Sequence, residues 1–282
     1  REGMTFTPKQ LFQLQTVEGL AAVVAKGHAP AMQIDQGAVQ GRMQLLPIHQ
    51  AFFNEDIADR HHWNQALLLK PGQALDSNVL DRALQALLAH HDALRVSFQQ
   101  EDGSTWSACY RHIGEPAQAT CLWQAQLQHP SELQALCDKA QRSLDLQQGP
   151  LLRAVLADLP DGNQRLLLVI HHLAVDGVSW RILLEDLQAA YRQEALGQTI
   201  SLPAKTSSVK AWAEALQTYA NSEVLRNELP YWQALSAVDA TLPCDNVDGS
   251  LQARHAAVAR TRLDERYTRP VSYTHLTLPT KA

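Results

Sequence analysis

The sequence predicts an α/β domain built in layers around a mixed sheet. Apolar segments of strand length alternate with segments that carry a helical apolar stripe, and both hairpin turns and helical crossovers connect the strands. Hairpins join antiparallel neighbours and helical crossovers join parallel ones, so a mixed sheet is expected. Hydrophobic residues form 45% of the 282 residues, which is enough to bury a core.

The N-terminal part of the chain predicts a helix, a linker and a first strand. Residues 7–26 have an imperfect helical stripe, with Pro8 in a favourable first-turn position. Residues 27–44 contain glycines and many polar side chains, and we predict a linker there. An apolar block at residues 45–53 opens the domain proper, and residues 65–69 are predicted as a strand.

A capped helix and a hairpin follow the first strand. Asp76 and Ser77 are suitable N-cap residues. The apolar face of this helix comprises Val79, Leu80, Ala83, Leu84, Leu87 and Leu88. Strands are predicted at residues 95–98 and 105–110, joined by an Asp102-Gly103 turn. The remaining predicted elements are a helix at 131–144, strands at 151–157 and 165–171, and helices at 178–196, 207–220 and 221–235.

Residues 171–177, His-His-Leu-Ala-Val-Asp-Gly, follow the apolar run of the last predicted strand. An imidazole on a loop at the end of a buried strand, beside a carboxylate, is a typical setting for general acid–base chemistry. We predict that His172 accepts or donates a proton and that Asp176 orients the loop through backbone donors or an arginine. Gly177 would permit a tight turn or the close approach of a substrate. The alternative is a structural histidine pair followed by an ordinary Asp-Gly turn.

Other polar and aromatic residues are interpreted mainly as structural. His61-His62 precedes a strand, and His90-His91 lies on a polar face or at the end of a helix. Arg95 is either a surface cation or a buried partner for a carboxylate such as Asp176. Tryptophans at helical positions are predicted to lie in the core: Trp180, Trp212 and Trp232.

The composition and the absence of common motifs argue against several kinds of partner and cofactor. The formal net charge is -5 and no dense Lys/Arg cluster is present, which argues against nucleic acid. No apolar run has the length of a membrane span. The four cysteines have no CxxC spacing and predict reduced thiols of a cytoplasmic protein without a metal site: Cys109, Cys121, Cys137 and Cys244. The sequence contains no GxGxxG, P-loop, HExxH or GxSxG motif.

Several motifs together resemble one family. Residues 171–177 match the HHxxxDG motif of the condensation superfamily of nonribosomal peptide synthetases, which is related in fold to chloramphenicol acetyltransferase. The string HHLAVDGVSWRILLEDL at 171–187 resembles the epimerization subtype, because the condensation subtype usually has tryptophan directly after the glycine. Further segments that resemble the family are LPIHQAFF at 46–53, HWNQ at 62–65, SSVKAW at 207–212 and ELPYW at 228–232.

The resemblance divides the chain into four parts. Residues 1–26 resemble the C-terminal helix of a peptidyl carrier domain, and residues 27–44 form the linker. Residues 45–268 resemble the N-terminal lobe of an epimerization or condensation domain. Residues 269–282 contain two prolines and no clear helical pattern, and we interpret them as a non-native tail left by cloning or assembly.

The resemblance also implies a reaction. The active-site channel of the family lies between two lobes, and the implied chemistry removes the α-proton of an aminoacyl or peptidyl thioester and returns a proton to the opposite face. His172 fits one proton-transfer role, with His171, Asp176 and Gly177 completing the motif. A glutamate in the missing C-terminal lobe fits the other role, so this chain alone is expected to be inactive.

The implied partners belong to the same assembly line. No directly bound cofactor or metal is implied, because the phosphopantetheine arm arrives on the peptidyl carrier domain. Adenylation and condensation domains are further expected partners. Three other functions stay open: peptide-bond-forming condensation, non-catalytic docking of carrier proteins, and a stand-alone acyltransferase of the chloramphenicol acetyltransferase type. The carrier-like helix at residues 7–25 disfavours the last of these.

Overall fold

The computed structural model describes residues 6, 8–24, 34–103, 105–114, 121–236, 244–246, 248–250 and 252–276. The chain forms two compact units, residues 1–226 and 227–282. The strands are β1 (Gly41–Met43), β2 (Asn64–Leu69), β3 (Val96–Glu101), β4 (Thr105–Tyr110), β5 (Leu122–Gln126), β6 (Leu152–Asp158) and β7 (Gln164–His171). The helices are α1 (Pro8–Leu14), α2 (Val17–Val24), α3 (Pro47–Asn54), α4 (Ser77–His90), α5 (Glu132–Gln141), α6 (Ser179–Ala195), α7 (Val209–Ala220), α8 (Glu223–Ser236) and α9 (Glu265–Leu276).

The larger sheet has the strand order β2-β7-β6-β5. Strands β5 and β6 are parallel, whereas β2, β7 and β6 pair antiparallel. The mixed sheet that the alternating connections predict is therefore confirmed. In the β2–β7 register, Asn64 faces His171 and Gln65 faces Ile170. The end of β7 that carries the histidine pair thus lies beside the start of β2.

Helices cover both faces of this sheet. Helices α4 and α6 pack on one face against Leu152, Leu168 and Ile170, and α5 packs on the other against Leu167 and Val169. Burial from both sides explains why β7 is a continuous apolar run and not an alternating one. The α4 prediction is confirmed: Asp76 accepts hydrogen bonds from the amides of Asn78 (2.8 Å) and Val79 (3.0 Å), which satisfies two free N–H groups of its first turn.

The smaller sheet has the order β1-β4-β3. The predicted β3–β4 hairpin is confirmed, and Asp102 (φ 49°) and Gly103 (φ 74°) both occupy the left-handed region that an Asp-Gly turn favours. A second core packs this sheet against α3 and α7 through residues that include Phe53, Phe98 and Ala213. Phe53 also stacks on Trp106, with ring centroids 4.2 Å apart.

Several sequence predictions need correction at their boundaries. The single helix predicted at 7–26 is two helices, α1 and α2, within the described part of that segment, separated by Gln15 with φ 43°. Residues 41–43, placed in the linker, form β1 because they pair with β4. Residues 27–33 of the linker lie outside the described residues. Strand β5 is absent from the sequence prediction because only its first two residues are large and apolar.

The C-terminal tail also differs from its prediction. Helix α9 runs through the region where no helical pattern is expected, up to residue 276. The Asp264 carboxylate accepts a hydrogen bond from the Tyr267 amide at 3.2 Å, so a polar cap begins this helix. A polar N-cap residue is not part of an apolar repeat, so a search for apolar periodicity does not detect the start of this helix. The interpretation of residues 269–282 as non-native stays a prediction, and residues 277–282 lie outside the described part.

The tryptophan prediction is correct for one residue in three. Trp180 is 8% exposed and lies in the core, whereas Trp212 and Trp232 are each 55% exposed. Helix α7 buries only Ala213 and α8 buries none of its residues. Helical spacing identifies a face but not whether that face has a partner.

The structure also describes the four cysteines and the apolar character of the helices. All four cysteines are free thiols. Burial raises the pKa of the Cys121 thiol to about 12, so this group stays protonated and inert at neutral pH. Among the described residues, no helix combines the length and apolar character that a membrane span requires.

Candidate active site

The predicted site lies on the loop between β7, which ends at His171, and α6, which begins at Ser179. The His172 amide donates to the Trp63 carbonyl at 2.8 Å, so the β2–β7 pairing continues one residue beyond the strand. At the other end, the Trp180 amide donates to the Asp176 carbonyl at 3.3 Å and begins the helix. The loop is therefore held at both ends by backbone hydrogen bonds.

His171 is fully buried, and both of its ring nitrogens bond to the backbone. Nδ1 accepts from the Leu173 amide at 3.1 Å, so Nε2 carries the proton and donates to the Arg60 carbonyl at 2.8 Å. Burial lowers the pKa of His171 to about 4, which keeps the ring neutral. His171 thus links β7 to the segment before β2 and has no nitrogen free for a substrate.

His172 points the other way and is exposed. Its Nδ1 lies 2.8 Å from the Val175 carbonyl, so Nδ1 carries the proton and donates. Its Nε2 then has a lone pair, which faces the Gln65 side-chain amide nitrogen at 3.3 Å. This is the arrangement of a general base: one nitrogen fixed by the protein, the other basic and accessible.

Asp176 stabilises the start of α6. Its Oδ1 accepts hydrogen bonds from the Ser179 hydroxyl (2.6 Å), the Ser179 amide (2.8 Å) and the Val178 amide (3.1 Å). The Ser179 hydroxyl bond, and then the amide bonds, lower the pKa of this carboxyl. Of the two orienting partners predicted for Asp176, the structure shows the backbone donors.

Gly177 does not have a positive φ, so a tight left-handed turn is not its role. A Cβ built at this position would meet no atom within 4 Å. Nothing in the described structure therefore requires glycine here. The close approach of a substrate stays a prediction.

Replacing Asp176 with alanine should lower the free energy of unfolding by about 1 kcal/mol, because two amides and a hydroxyl lose their acceptor. Asp176→Asn should retain most of the stability at pH 7, since an asparagine oxygen caps equally well. The folded-state pKa is lowered, so the carboxylate's extra contribution is present above the unfolded pKa and disappears as pH falls through the folded one. Urea unfolding at pH 7 and pH 3 measures both effects. Loss of activity in a fully folded Asp176→Asn variant of the two-lobed protein would instead indicate direct chemistry.

The free energy of unfolding should fall as the pH is lowered from 6.5 towards 4. Burial lowers the pKa values of His171 and His49 to about 4 from 6.5, so the unfolded chain binds more protons in this window. Between pH 7 and pH 5, protonation of each of these two histidines in the unfolded chain should lower the free energy of unfolding by about 2 kcal/mol. Urea unfolding at pH 7 and pH 5 tests this, with the exposed His255→Gln as control and His171→Gln as the variant with a reduced pH dependence. Equal stability at both pH values would contradict it.

Arg95 is completely buried, but its partner is not Asp176. Its Nη2 bonds to Asp92 Oδ1, and its Nε and Nη1 donate to the Leu88 and Arg111 carbonyls at 3.1 and 2.6 Å. The second Asp92 oxygen lies 3.0 Å from Lys205 Nζ. Of the two alternatives for Arg95, the structure shows the buried ion pair. Asp176 as its partner is wrong, because the guanidinium bonds to Asp92 whereas Asp176 Oδ1 bonds to Val178 and Ser179.

A cleft of about 460 Å³ lies beside the histidine loop. Its wall includes Ala174 and Ser179 from the loop region, residues 90–94, part of α6 and residues 203–209, but not His172. His172 is therefore not inside this cleft. At its base His91 Nε2 lies 2.8 Å from Asp186 Oδ2, which joins the end of α4 to α6.

The ligand atoms of His90, His91 and Asp186 all lie within 4.8 Å of one another. Two of the three ligand atoms, His91 Nε2 and Asp186 Oδ2, are already bonded to each other at 2.8 Å. Lys205 adds a positive charge near His90. We therefore interpret this group as a structural link between helices, in agreement with the interpretation of His90-His91 as a helix end.

The fold and motif agree with comparisons to known proteins. A family model described as "Condensation domain" matches residues 39–274. The chain belongs to the condensation-domain family. The sequence-based resemblance to the condensation superfamily of nonribosomal peptide synthetases is confirmed. A linear gramicidin synthase chain from Brevibacillus parabrevis is 46% identical over 243 residues, and surfactin synthase subunit 1 from Bacillus subtilis (strain 168) is 39% identical over 259 residues.

Those two matches cover 85% and 90% of this condensation-family chain. They cover only 5% and 7% of the length of the relatives, so the chain corresponds to a small part of each. Among solved structures, the epimerization domain from the third module of tyrocidine synthetase B is 39% identical, with a TM-score of 0.69 over 74% of this chain and 48% of that one. The first condensation domain of the CDA synthetase has 22% identity and a TM-score of 0.56, covering 70% and 49%. The chloramphenicol acetyltransferase-like fold class is thereby confirmed.

Proposed function

We propose that this chain is the N-terminal lobe of an epimerization domain that inverts the α-carbon of an aminoacyl or peptidyl thioester. The observation that carries the proposal is its 39% identity to an epimerization domain, against 22% and 19% to two condensation domains. The Val178-Ser179-Trp180 sequence after the motif glycine supports the same subtype.

The geometry at His172 supports a proton-transfer role. A thioester acidifies its α-proton, and a neutral imidazole can remove it near neutral pH once the substrate has displaced the Gln65 amide from the Nε2 lone pair. Once Nε2 is protonated, Nδ1–H still donates to the Val175 carbonyl at 2.8 Å, so the imidazolium keeps its partner. Inversion requires that a second group return a proton to the opposite face, and we assign that role to a glutamate of the C-terminal lobe.

The other motif residues act through His172. His171 positions the end of β7 by its bond to the Arg60 carbonyl, and Asp176 holds the start of α6. Gly177 leaves open space beside the loop. In this proposal His171 and Asp176 are positioning residues, and only His172 meets the substrate.

The substrate arrives on a phosphopantetheine arm attached to a peptidyl carrier domain, of which residues 1–26, with helices α1 and α2, would be the C-terminal end. A second linear gramicidin synthase chain from Brevibacillus parabrevis is 41% identical over 98% of this chain, which supports a shared arrangement that includes the N-terminal residues. Adenylation and condensation domains of the same synthetase would supply the amino acid and the peptide.

The product distinguishes the candidate functions. The synthetase that contains this chain is loaded with an L-configured thioester on its carrier, and the released residue is analysed by chiral chromatography. A mixture of L and D residues is the expected result. An elongated peptide with unchanged configuration, whose formation is lost in His172→Ala, would instead indicate condensation by this domain, which the family model keeps as the second candidate. Carrier binding without either change would establish a docking domain.

A further inference from the structure

Trp180 fixes the orientation of a glutamine that lies far from it in the sequence. The indole N–H can only donate, and its Nε1 lies 2.8 Å from Gln65 Oε1. The amide oxygen of Gln65 must therefore face Trp180, and the amide nitrogen must face away. Trp180 is itself buried in the core between α6 and the sheet, so this contact is held firmly.

The orientation of Gln65 in turn dictates the tautomer of His172. The Gln65 amide nitrogen can only donate, and it faces His172 Nε2 at 3.3 Å. A proton on Nε2 would place two donors against each other. On the other side of the ring, the Val175 carbonyl can only accept, at 2.8 Å from Nδ1. Both neighbours thus require the same state, with the proton on Nδ1 and a lone pair on Nε2.

We propose that Trp180 and Gln65 are positioning residues that keep His172 Nε2 unprotonated until the substrate arrives. The importance of that state for catalysis rests on the proposed function, whereas the tautomer itself does not. The bond from Gln65 is long, so a substrate can displace it at low cost. The charged and titratable neighbours of His172 are Asp176 on its own loop, His171 before it, and His61 beside His171 across the β2 edge.

The test is ¹⁵N NMR of the histidine ring nitrogens in the 282-residue chain, with the His172 signal identified by its loss in His172→Ala. The wild-type signal should show protonated Nδ1 and unprotonated Nε2. Trp180→Phe removes the indole donor to Gln65 while keeping an aromatic ring in the core, so the amide can turn. The fraction of the Nε2–H form should then rise above its wild-type value, because the Val175 carbonyl is the one remaining group among the described residues that opposes it. Gln65→Glu places an acceptor against Nε2 and should raise the midpoint of the ring titration by about one pH unit or more.

Two matched controls lie at the opposite edge of the same sheet. Gln124→Glu adds the same charge on β5, and Trp123→Phe removes the same N–H from β5. Neither should change the His172 signal. Thermal melting of each variant shows whether it is folded.

The outcomes separate the two proposals. A wild-type ring with its proton on Nε2, or a ring unaffected by both Trp180→Phe and Gln65→Glu in folded proteins, would overturn the positioning role. In the synthetase, Gln65→Glu should move the acidic limb of the epimerization pH profile upward together with the ring titration. A shifted ring with an unchanged pH profile would overturn the role of His172 as the base and leave the tautomer assignment standing.

Discussion

Replacing His172 with alanine is expected to lower the epimerization rate of the synthetase that contains this chain by at least about 10²- to 10⁴-fold. In the proposed reaction the ring supplies the lone pair that receives the α-proton, and alanine offers no substitute. The loss should appear in kcat, because His172 is exposed and its removal leaves the backbone bonds of the loop unchanged. The rate at which a loaded L-thioester approaches its equilibrium mixture with the D form measures the effect.

The matched control is His129→Ala, another exposed histidine, in the turn before α5. It should keep wild-type rates, because no substrate-facing role is assigned to it. Wild-type rates in a folded His172→Ala synthetase would show that the proposed base is wrong.

Replacing Arg95 with leucine is expected to lower the free energy of unfolding by about 3–5 kcal/mol. The arginine side chain is 0% exposed, and its loss leaves the Asp92 carboxylate with only Lys205 as a charged partner among the described residues. It also leaves the Leu88 and Arg111 carbonyls without their guanidinium donor. Urea unfolding of the 282-residue chain at pH 7 measures the change.

Arg42→Leu is the control for this prediction. Arg42 forms an ion pair of 2.7 Å with Glu101, but its side chain is 76% exposed. Water screens such a pair, so the expected cost is under about 1 kcal/mol. Equal costs for the two variants would contradict the assignment of Arg95–Asp92 as a buried structural pair.

The sequence predicted the local features of the site but not its long-range contacts. The apolar run, the turn and the helix around residues 171–179 have local signals, and all three are present. Gln65 contacts His172 across 107 residues and Trp180 across 115, and no periodicity carries that information. The segment HWNQ is singled out only by its family resemblance.

The partner of Arg95 and strand β5 were predicted wrongly or missed because both depend on contacts with other parts of the fold. Arg95 pairs with Asp92, three residues before it in the chain, and not with Asp176. Strand β5 carries few apolar residues because it is at the edge of its sheet and is half-exposed. Such an element is defined by its neighbour β6 more than by its own residues.

The most direct test of the account is the mass of the α-carbon position after the loaded synthetase turns over in D₂O. Removal of the α-proton and return of a solvent-derived one should give a deuterium at that carbon in the D product, and also in the L thioester that reverts. Without His172 the deuterium should not appear on the same time scale. Retention of the original α-proton, together with formation of a peptide bond that is lost in His172→Ala, would contradict the proposed proton transfer and indicate condensation by this domain.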